Sequence, residues 1–185
     1  MATRSLVLLS GGVDSAVVYR QTSNALALFV DYNQPAAEQE YRAARDLTWG
    51  CGNLIEARVK IPLGDMVDPV GQAGPLVVPG RNAVLISLGI SYAMAKGCQE
   101  VLLGAHHDDR TDYPDCRPSF VTAANMMAAA YGVTVRAPLM GLSKASILKE
   151  AARLGIDTSR CWSCYTPDRN GNDCGTCNSC RAAAS

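Results

Sequence analysis

The chain has 185 residues, of which 48% are hydrophobic and 18% are charged, a composition typical of one globular domain rather than a disordered segment. Its 17 basic residues match its 17 acidic residues, so the formal net charge is zero. Because proteins that grip long nucleic acids usually carry a basic excess, the charge balance favours a small-molecule partner. No stretch approaches the ~20 apolar residues that a membrane helix requires, so no membrane partner is expected.

The eight cysteines are unevenly distributed, because five of them lie from position 161 onward. The first residues, Met1–Leu9, resemble a core strand rather than an export signal. We therefore expect a cytoplasmic protein whose cysteines are thiols or metal ligands. Cys51, Cys98 and Cys116 stand alone in the sequence and are interpreted as packed thiols.

Short apolar runs alternate with helical segments along the chain. The predicted strands are Ser5–Leu9, Ala25–Val30, Leu54–Ile61, Glu100–Gly104 and Val133–Arg136. The predicted helices are Val13–Arg20, Pro35–Trp49, Arg81–Lys96, Ser119–Ala130 and Ser143–Leu154, the last with Ser143 as its N-cap. Residues 62–79 contain four prolines and three glycines, which predicts a loop. The alternation predicts an α/β fold with a doubly wound, mostly parallel sheet.

Polar clusters follow three of the predicted strands, at Ser10–Ser15, Asp31–Gln34 and His106–Arg117. The carboxyl ends of parallel strands meet at one edge of the sheet, and doubly wound sheets bind ligands beyond that edge. The coincidence of the three clusters predicts an active site there.

The first of these clusters, Ser10-Gly11-Gly12-Val13-Asp14-Ser15, follows a strand and opens a helix. Its glycines permit positive φ angles and close backbone approach, while exposed N–H groups and the helix dipole favour a phosphate. Asp14 would repel a phosphate unless magnesium lay between them, so the loop predicts metal-bound pyrophosphate. The Gly-Lys-Ser/Thr ending of a Walker loop is absent.

The C-terminal cysteines Cys164, Cys174, Cys177 and Cys180 follow the spacing C-x9-C-x2-C-x2-C. Thiolates with two residues between them in a turn can both reach one tetrahedral ion at ~2.3 Å, which predicts a structural zinc site. An iron–sulfur cluster is the alternative for the same ligand set. Cys161 is left out because three ligands come from the last cluster and Cys164 is nearer to them.

The Ser10–Ser15 string resembles the signature of the N-type ATP pyrophosphatases. Further segments resemble one family of that superfamily, the 7-cyano-7-deazaguanine synthases (QueC): Val78–Asn82, Asp112–Pro118, Pro138–Lys144 and Trp162–Tyr165. The resemblance runs from Ser5 to Cys180 in the family's order. It implies an adenine nucleotide α hydrolase-like domain over residues 1–160, with residues 161–185 as a zinc-binding segment packed on it.

The resemblance also implies an activity. The carboxylate of 7-carboxy-7-deazaguanine attacks ATP, ammonia converts the acyl adenylate to an amide, and a second ATP removes the amide oxygen to leave a nitrile. AMP and pyrophosphate are the expected nucleotide products. The expected cofactors are structural zinc and magnesium with ATP, and we expect a homodimer.

Each candidate site residue takes its role from this resemblance. The pyrophosphate and its magnesium are assigned to Ser10, Gly11, Gly12, Asp14 and Ser15. Leu8, Phe29 and Asp31 are assigned to the adenosine site. Lys144 and Arg81 are expected to neutralise charge on the α-phosphate, and together with Asp14 they form the catalytic set. Tyr113, Asp115 and Arg117 are assigned to the substrate, with Asp115 accepting from its N–H edge and Arg117 facing its carboxylate.

Departures from the family pattern lie at the substrate end. The segment Asn33–Ala36 lacks the family's basic pair, His106 replaces an asparagine, and Thr111-Asp112 replaces Ser-Gly. They leave open an enzyme that stops at the amide or joins the acyl group to a protein amine. A tRNA-modifying enzyme of the superfamily and an inactive zinc-bearing protein are further alternatives. A metal site at His106-His107 is disfavoured, because adjacent side chains at a strand end point in different directions.

Overall fold

The computed structural model describes residues 3–48, 53–61, 78–111 and 113–183, with side chains described as far as Arg181. Its five strands form one sheet in the order β3-β2-β1-β4-β5, and every neighbouring pair is parallel. The strands are β1 Ser5–Leu8, β2 Ala25–Asp31, β3 Leu54–Arg58, β4 Glu100–Leu102 and β5 Thr134–Arg136. The five strands predicted from the sequence are therefore all present, although β1, β3, β4 and β5 are shorter than expected.

The helices in the described residues are α1 Val13–Gln21, α2 Ala37–Leu47, α3 Arg81–Lys96, α4 Pro118–Ala129, α5 Lys144–Arg153 and the short α6 Asn178–Ala183. Single 3₁₀ turns lie at Asp108–Arg110, Pro114–Cys116 and Thr158–Arg160. Ser143 caps α5 as predicted, since its side chain accepts from the backbone N–H of Ser146 at 3.3 Å. The sequence did not predict α6. The predicted helix end at Trp49, the thiol of Cys51 and most of the predicted loop, residues 62–77, lie outside the described residues.

The sheet carries an apolar core on each face because successive side chains of a strand point to opposite sides. Leu6 and Val101 face one core, which also contains Ile86 and Ile90 of α3 and Ala124 and Ala128 of α4. Val7 and Phe29 face the other core, which also contains Val17 of α1, Ala44 of α2 and Ile147 of α5. Helices therefore cover both faces, and the predicted doubly wound α/β fold is confirmed. The sequences of β1 and β2 are near-continuous apolar runs because both faces of each strand are buried.

The strand order reverses direction between β1 and β4, so the crevice for a ligand opens between the carboxyl ends of these neighbours. Gly104, just after β4, brings that strand end against the start of α1. A Cβ at Gly104 would lie 2.9 Å from the backbone N of Ser15 and 3.1 Å from the carbonyl carbon of Asp14. A larger residue would force the two elements apart.

Among the described residues, no helix combines the length and the apolar character needed to cross a membrane.

Candidate active site

A pocket of about 480 Å³ opens at the carboxyl ends of β1, β2 and β4. All three polar clusters singled out in the sequence contribute to its wall, through Ser10–Ser15, through Tyr32 and Gln34, and through His106 and Tyr113. The pocket therefore lies at the edge of the sheet where the sequence predicts a site, and the site itself stays a prediction. Leu8 and Phe29 also line the pocket and give it an apolar side.

The loop between β1 and α1 forms one end of the pocket. Gly11 has a φ of +83°, and a Cβ there would lie only 2.5 Å from the carbonyl oxygen of Glu40, so the position requires glycine. Ser15 fixes the loop by donating from its hydroxyl to the carbonyl of Gly12 at 2.9 Å and accepting from the N–H of Ser10 at 3.2 Å. No side chain caps α1 at Gly12. The first N–H groups of α1 are thus available to an anion, as the loop pattern predicted.

A lysine 130 positions after Asp14 in the sequence lies beside the loop in the pocket. The Nζ of Lys144 donates to both carboxylate oxygens of Asp14, at 2.7 and 2.8 Å. Lys144 is the first residue of α5, and its backbone N–H donates to the carboxylate of Asp108 at 2.7 Å. That hydrogen bond is the main reason why the pKa of Asp108 lies below its usual value. The lysine is therefore positioned from both its main chain and its ammonium group beside the phosphate loop.

His106 connects the loop after β4 to the same cluster. It is 4% exposed, and its Nδ1 accepts from the backbone N–H of Asp108 at 3.2 Å. That bond places the ring proton on Nε2, which lies 3.4 Å from the carboxylate of Asp109 and 3.9 Å from that of Asp14. Burial raises the pKa of Asp109, and the nearby His106 opposes that rise. The neighbouring His107 side chain is 59% exposed, which confirms that the two histidines point in different directions.

Another part of the pocket wall combines aromatic and charged groups. The guanidinium of Arg81 donates to the hydroxyl of Tyr32 at 3.3 Å and lies 6.0 Å from the centre of that ring. The Nε of Arg81 is buried and finds no hydrogen-bond partner among the residues that the structure describes. Nearby, the side-chain amide of Gln34 donates to the carboxylate of Glu40 at 2.7 Å. Burial raises the pKa of Glu40 to about 7.

The C-terminal cysteines form a compact thiol cluster. The Sγ atoms of Cys164, Cys174, Cys177 and Cys180 all lie within 4.8 Å of one another, close enough to hold one metal ion. Backbone N–H groups support the sulfurs, since Cys177 donates to Cys174 Sγ and Cys174 donates to Cys164 Sγ, both at 3.3 Å. Hydrogen bonds from Thr166 and then Thr176 lower the pKa of Cys174 to about 5, whereas burial raises the pKa of Cys164 and that of Cys180. The predicted four-cysteine set, without Cys161, is confirmed as the group that can bind a metal.

The segment before this cluster joins it to the phosphate loop. The backbone N–H of Trp162 donates to the carbonyl of Gly11 at 3.0 Å, and its indole donates to the carbonyl of Cys164 at 2.7 Å. Ser163 and Tyr165 line the pocket, as do Asn178 and Ser179 at the start of α6. The metal-binding segment is consequently part of the pocket wall.

Comparison with known proteins identifies the family. The family model described as "Queuosine biosynthesis protein QueC" matches residues 48–185. A relative from Rhizorhabdus wittichii named 7-cyano-7-deazaguanine synthase is 37% identical, over 96% of this chain and 88% of its own length. A relative of the same name from Novosphingobium aromaticivorans is 38% identical, over 97% of this chain and 88% of its own. The chain belongs to the QueC family.

Solved structures agree with this QueC fold at the level of architecture. NMN synthetase from Francisella tularensis superposes with a TM-score of 0.60 at 18% identity, covering 96% of this chain and 71% of the other. A predicted subunit of a tRNA methyltransferase from Methanocaldococcus jannaschii gives a TM-score of 0.58 at 21% identity, covering 82% and 75% of the two chains. At such identities the likeness concerns the fold alone.

Within this QueC protein, the residues assigned to the substrate from the sequence divide into two groups. Tyr113 lines the pocket, and burial, followed by the neighbouring Tyr165, raises the pKa of its phenol. Asp115 instead accepts from the backbone N–H of Asn82 at 3.1 Å, at the start of α3. Arg117 donates from its Nε to the carbonyl of Arg110 at 3.0 Å. Neither Asp115 nor Arg117 is among the described residues that line the pocket, and no ion pair joins the two there.

Most of the residues assigned to ATP from the sequence lie in the pocket wall. Ser10, Gly12, Asp14, Ser15, Leu8, Phe29, Lys144 and Arg81 all line the pocket. Asp31 is not among the described residues that line the pocket; its carboxylate accepts from the N–H of Asn33 at 2.9 Å and lies 3.9 Å from the Nε of Arg58. Gly11 contributes through its backbone, because its φ of +83° lets the loop lie against the carbonyl of Glu40.

Sequence reasoning missed Glu40 and Asp109 as pocket residues. Glu40 had a detectable signal, because Ala36, Glu40 and Ala44 follow the i, i+4, i+8 spacing of one helix face. Ala36 and Ala44 are buried, and a charged residue between two buried positions is uncommon unless it has a partner or a function. Asp109 stood within a polar loop and gave no comparable signal.

Proposed function

We propose that this chain converts 7-carboxy-7-deazaguanine, ammonia and two molecules of ATP into 7-cyano-7-deazaguanine, two AMP and two pyrophosphate. A carboxylate oxygen attacks the α-phosphorus of ATP, and pyrophosphate leaves. Ammonia adds to the acyl carbon, loses a proton and displaces AMP, which gives the amide. The amide oxygen attacks the α-phosphorus of a second ATP with release of pyrophosphate, and loss of AMP and a proton then forms the nitrile. Adenylation is needed because a carboxylate is a poor electrophile and AMP is a far better leaving group than oxide.

The observation that carries the proposal is the Lys144–Asp14 pair beside an uncapped helix N-terminus, in a pocket that extends to Arg81. The backbone N–H groups of the loop suit the pyrophosphate end of ATP. Lys144 is a cation that can turn from Asp14 to the phosphates when they arrive, and Asp14 can then offer oxygen to the magnesium that ATP carries. Family membership and the shared name of the relatives support the same reaction.

Arg81 is proposed to balance the negative charge of the reacting carboxylate and α-phosphate. Its buried Nε has no partner within the described part of the chain, so an anionic ligand would supply a hydrogen bond there. Preorganised charge of this kind stabilises the transition state more than the ground state, because the site need not reorganise during the reaction.

Zinc is proposed as the metal of the cysteine cluster. Four thiolates offer a closed tetrahedral set, which is typical of structural zinc and leaves no position for a substrate. When bound, zinc would hold the segment of Trp162 and Cys164 against the phosphate loop, so its role would be to shape the pocket. Metal analysis of the purified protein by mass spectrometry tests this, and stoichiometric iron with sulfide would overturn it.

The reaction itself is tested by mass spectrometry of products from 7-carboxy-7-deazaguanine, ATP, magnesium and ammonium. We expect the nitrile, with two AMP per nitrile formed. An amide as the final product, or ADP in place of AMP, would contradict the proposal. We also infer that the protein works in the cytoplasm, where ATP and reduced thiols are both available, and that it forms a homodimer. Light scattering on the eluted protein tests the dimer.

A further inference from the structure

Glu40 is a carboxylate whose hydrogen bonds are incomplete. Its Oε2 accepts from the Nε2 of Gln34 at 2.7 Å, and among the described residues no hydrogen bond reaches its Oε1. Gln34 is held in turn, because its Oε1 accepts from the backbone N–H of Tyr32 at 2.8 Å and its Nε2 also donates to the carbonyl of Val30 at 3.3 Å. The side chain of Glu40 is therefore anchored at one oxygen by a fixed partner.

The environment of Glu40 makes further hydrogen bonds valuable. Burial raises the pKa of this carboxyl to about 7, which shows that the surrounding groups do not fully compensate its charge. Arg81 opposes the rise, but the two side chains do not form an ion pair in the described structure. A ligand that donates hydrogen bonds to Glu40 would remove this deficit.

Flat groups stand beside this carboxylate in the same pocket. The ring of Tyr32, the guanidinium plane of Arg81 and the phenols of Tyr113 and Tyr165 all line the wall that includes Glu40. Gln34 connects this carboxylate to Tyr32, because Gln34 donates to Glu40 at 2.7 Å and accepts from the backbone N–H of Tyr32 at 2.8 Å. The hydroxyl of Tyr32 accepts from Arg81 at 3.3 Å, while the backbone of Glu40 lies against the phosphate loop at Gly11. The carboxylate of Glu40 therefore belongs to the group of Tyr32 and Arg81, where a planar ring can stack.

A guanine-type ring presents two adjacent donors, the ring N1–H and the exocyclic 2-amino group. A carboxylate accepts from both at once, because each of its oxygens has two lone pairs. We propose that Glu40 is the specificity residue that binds the N1–H and 2-amino edge of the deazaguanine ring. This inference rests on the proposed function and deepens it. Asp115, the sequence candidate for the same role, already accepts from the N–H of Asn82 at 3.1 Å and lies outside the pocket wall.

The test compares 7-carboxy-7-deazaguanine with its analogue lacking the 2-amino group, by calorimetric titration into the wild-type protein and Glu40→Gln. The wild type should prefer the 2-amino compound by about 10- to 100-fold, since a hydrogen bond to a charged partner is lost in the analogue. Glu40→Gln should bind the two compounds within about threefold of each other, with its affinity for ATP unchanged within about twofold. Glu40→Asp, which keeps the charge on a shorter stem, should retain part of the preference.

Glu38→Gln is the matched control, because Glu38 lies on the same helix with a side chain 69% exposed and pairs with Arg42. It should keep the wild-type preference. ATP affinity reports whether each variant is folded. Equal binding of the two compounds by the wild type would overturn the proposal without any variant.

Two other outcomes would also overturn the assignment of Glu40. One is an intact 2-amino preference in Glu40→Gln. The other is a fall in kcat alone, with affinity and preference unchanged, which would indicate a proton-transfer role instead. The proposed reaction fails separately, if the wild type binds the acid but forms neither AMP nor nitrile.

Discussion

The raised pKa of Glu40 makes the stability of this protein depend on pH in a defined direction. Burial raises that pKa from 4.5 to about 7, with Asp31 adding to the rise and Arg81 and the Gln34 hydrogen bond opposing it. The folded state therefore holds a proton on Glu40 that the unfolded chain releases at lower pH. The resulting stability is fully present below pH 4.5, the unfolded value, and is lost as the pH rises through about 7.

The size of the effect follows from the two pKa values. A pKa difference from 4.5 to about 7 corresponds to about 3 kcal/mol over the whole titration. Most of this titration takes place between about pH 5 and about pH 8, and over that interval the free energy of unfolding falls by about 2.5 kcal/mol. This is a large part of the 5–15 kcal/mol that typically separates folded and unfolded domains.

Urea unfolding of the metal-loaded wild type and of Glu40→Gln at both pH values measures this contribution. The variant does not titrate at position 40, so the difference between the two unfolding free energies should shift by about 2.5 kcal/mol in favour of Glu40→Gln on going from the lower to the higher pH. Glu38→Gln, at the exposed position, should show no such shift. A difference between wild type and Glu40→Gln that stays constant with pH would refute the reasoning.

Three further predictions concern the loop, the lysine and the metal cluster. Gly11→Ala should destabilise the protein by on the order of 1–3 kcal/mol in urea unfolding and weaken ATP binding, because its Cβ would lie 2.5 Å from the Glu40 carbonyl at a φ of +83°; unchanged stability would contradict the close approach. Lys144→Met should lower the rate of AMP formation about 10²- to 10³-fold, whereas Lys149→Met, at an exposed position of the same helix, should not; equal rates would remove Lys144 from the mechanism. Cys177→Ser should lose the bound metal and Cys161→Ser should keep it, as judged by elemental analysis, because the cluster excludes Cys161; the opposite pattern would reassign the ligands.

Local sequence patterns were sufficient to predict the strands, most of the helices and two parts of the candidate site, the phosphate loop and the cysteine cluster. The apolar runs and the N-cap of Ser143 depend on neighbouring residues only, so they are readable from the chain. The phosphate loop and the cysteine spacing are also local, because their chemistry needs residues a few positions apart. The sequence likewise placed the polar clusters together, since parallel strands share one ligand-binding edge.

Tertiary structure decided which distant side chains meet. Lys144 and Asp14 are separated by 130 positions, and their contact depends on how α5 packs beside α1. Tertiary structure also gives Asp115 a partner that the sequence does not show, because its carboxylate accepts from the backbone N–H of Asn82 at the start of α3. Glu40 became a pocket residue only when α2 packed beneath the loop at Gly11. A sequence motif determines the chemical groups that a segment can offer. The partner of each charged group depends instead on burial and on packing across the whole sheet, so it cannot be inferred from residue spacing along the chain.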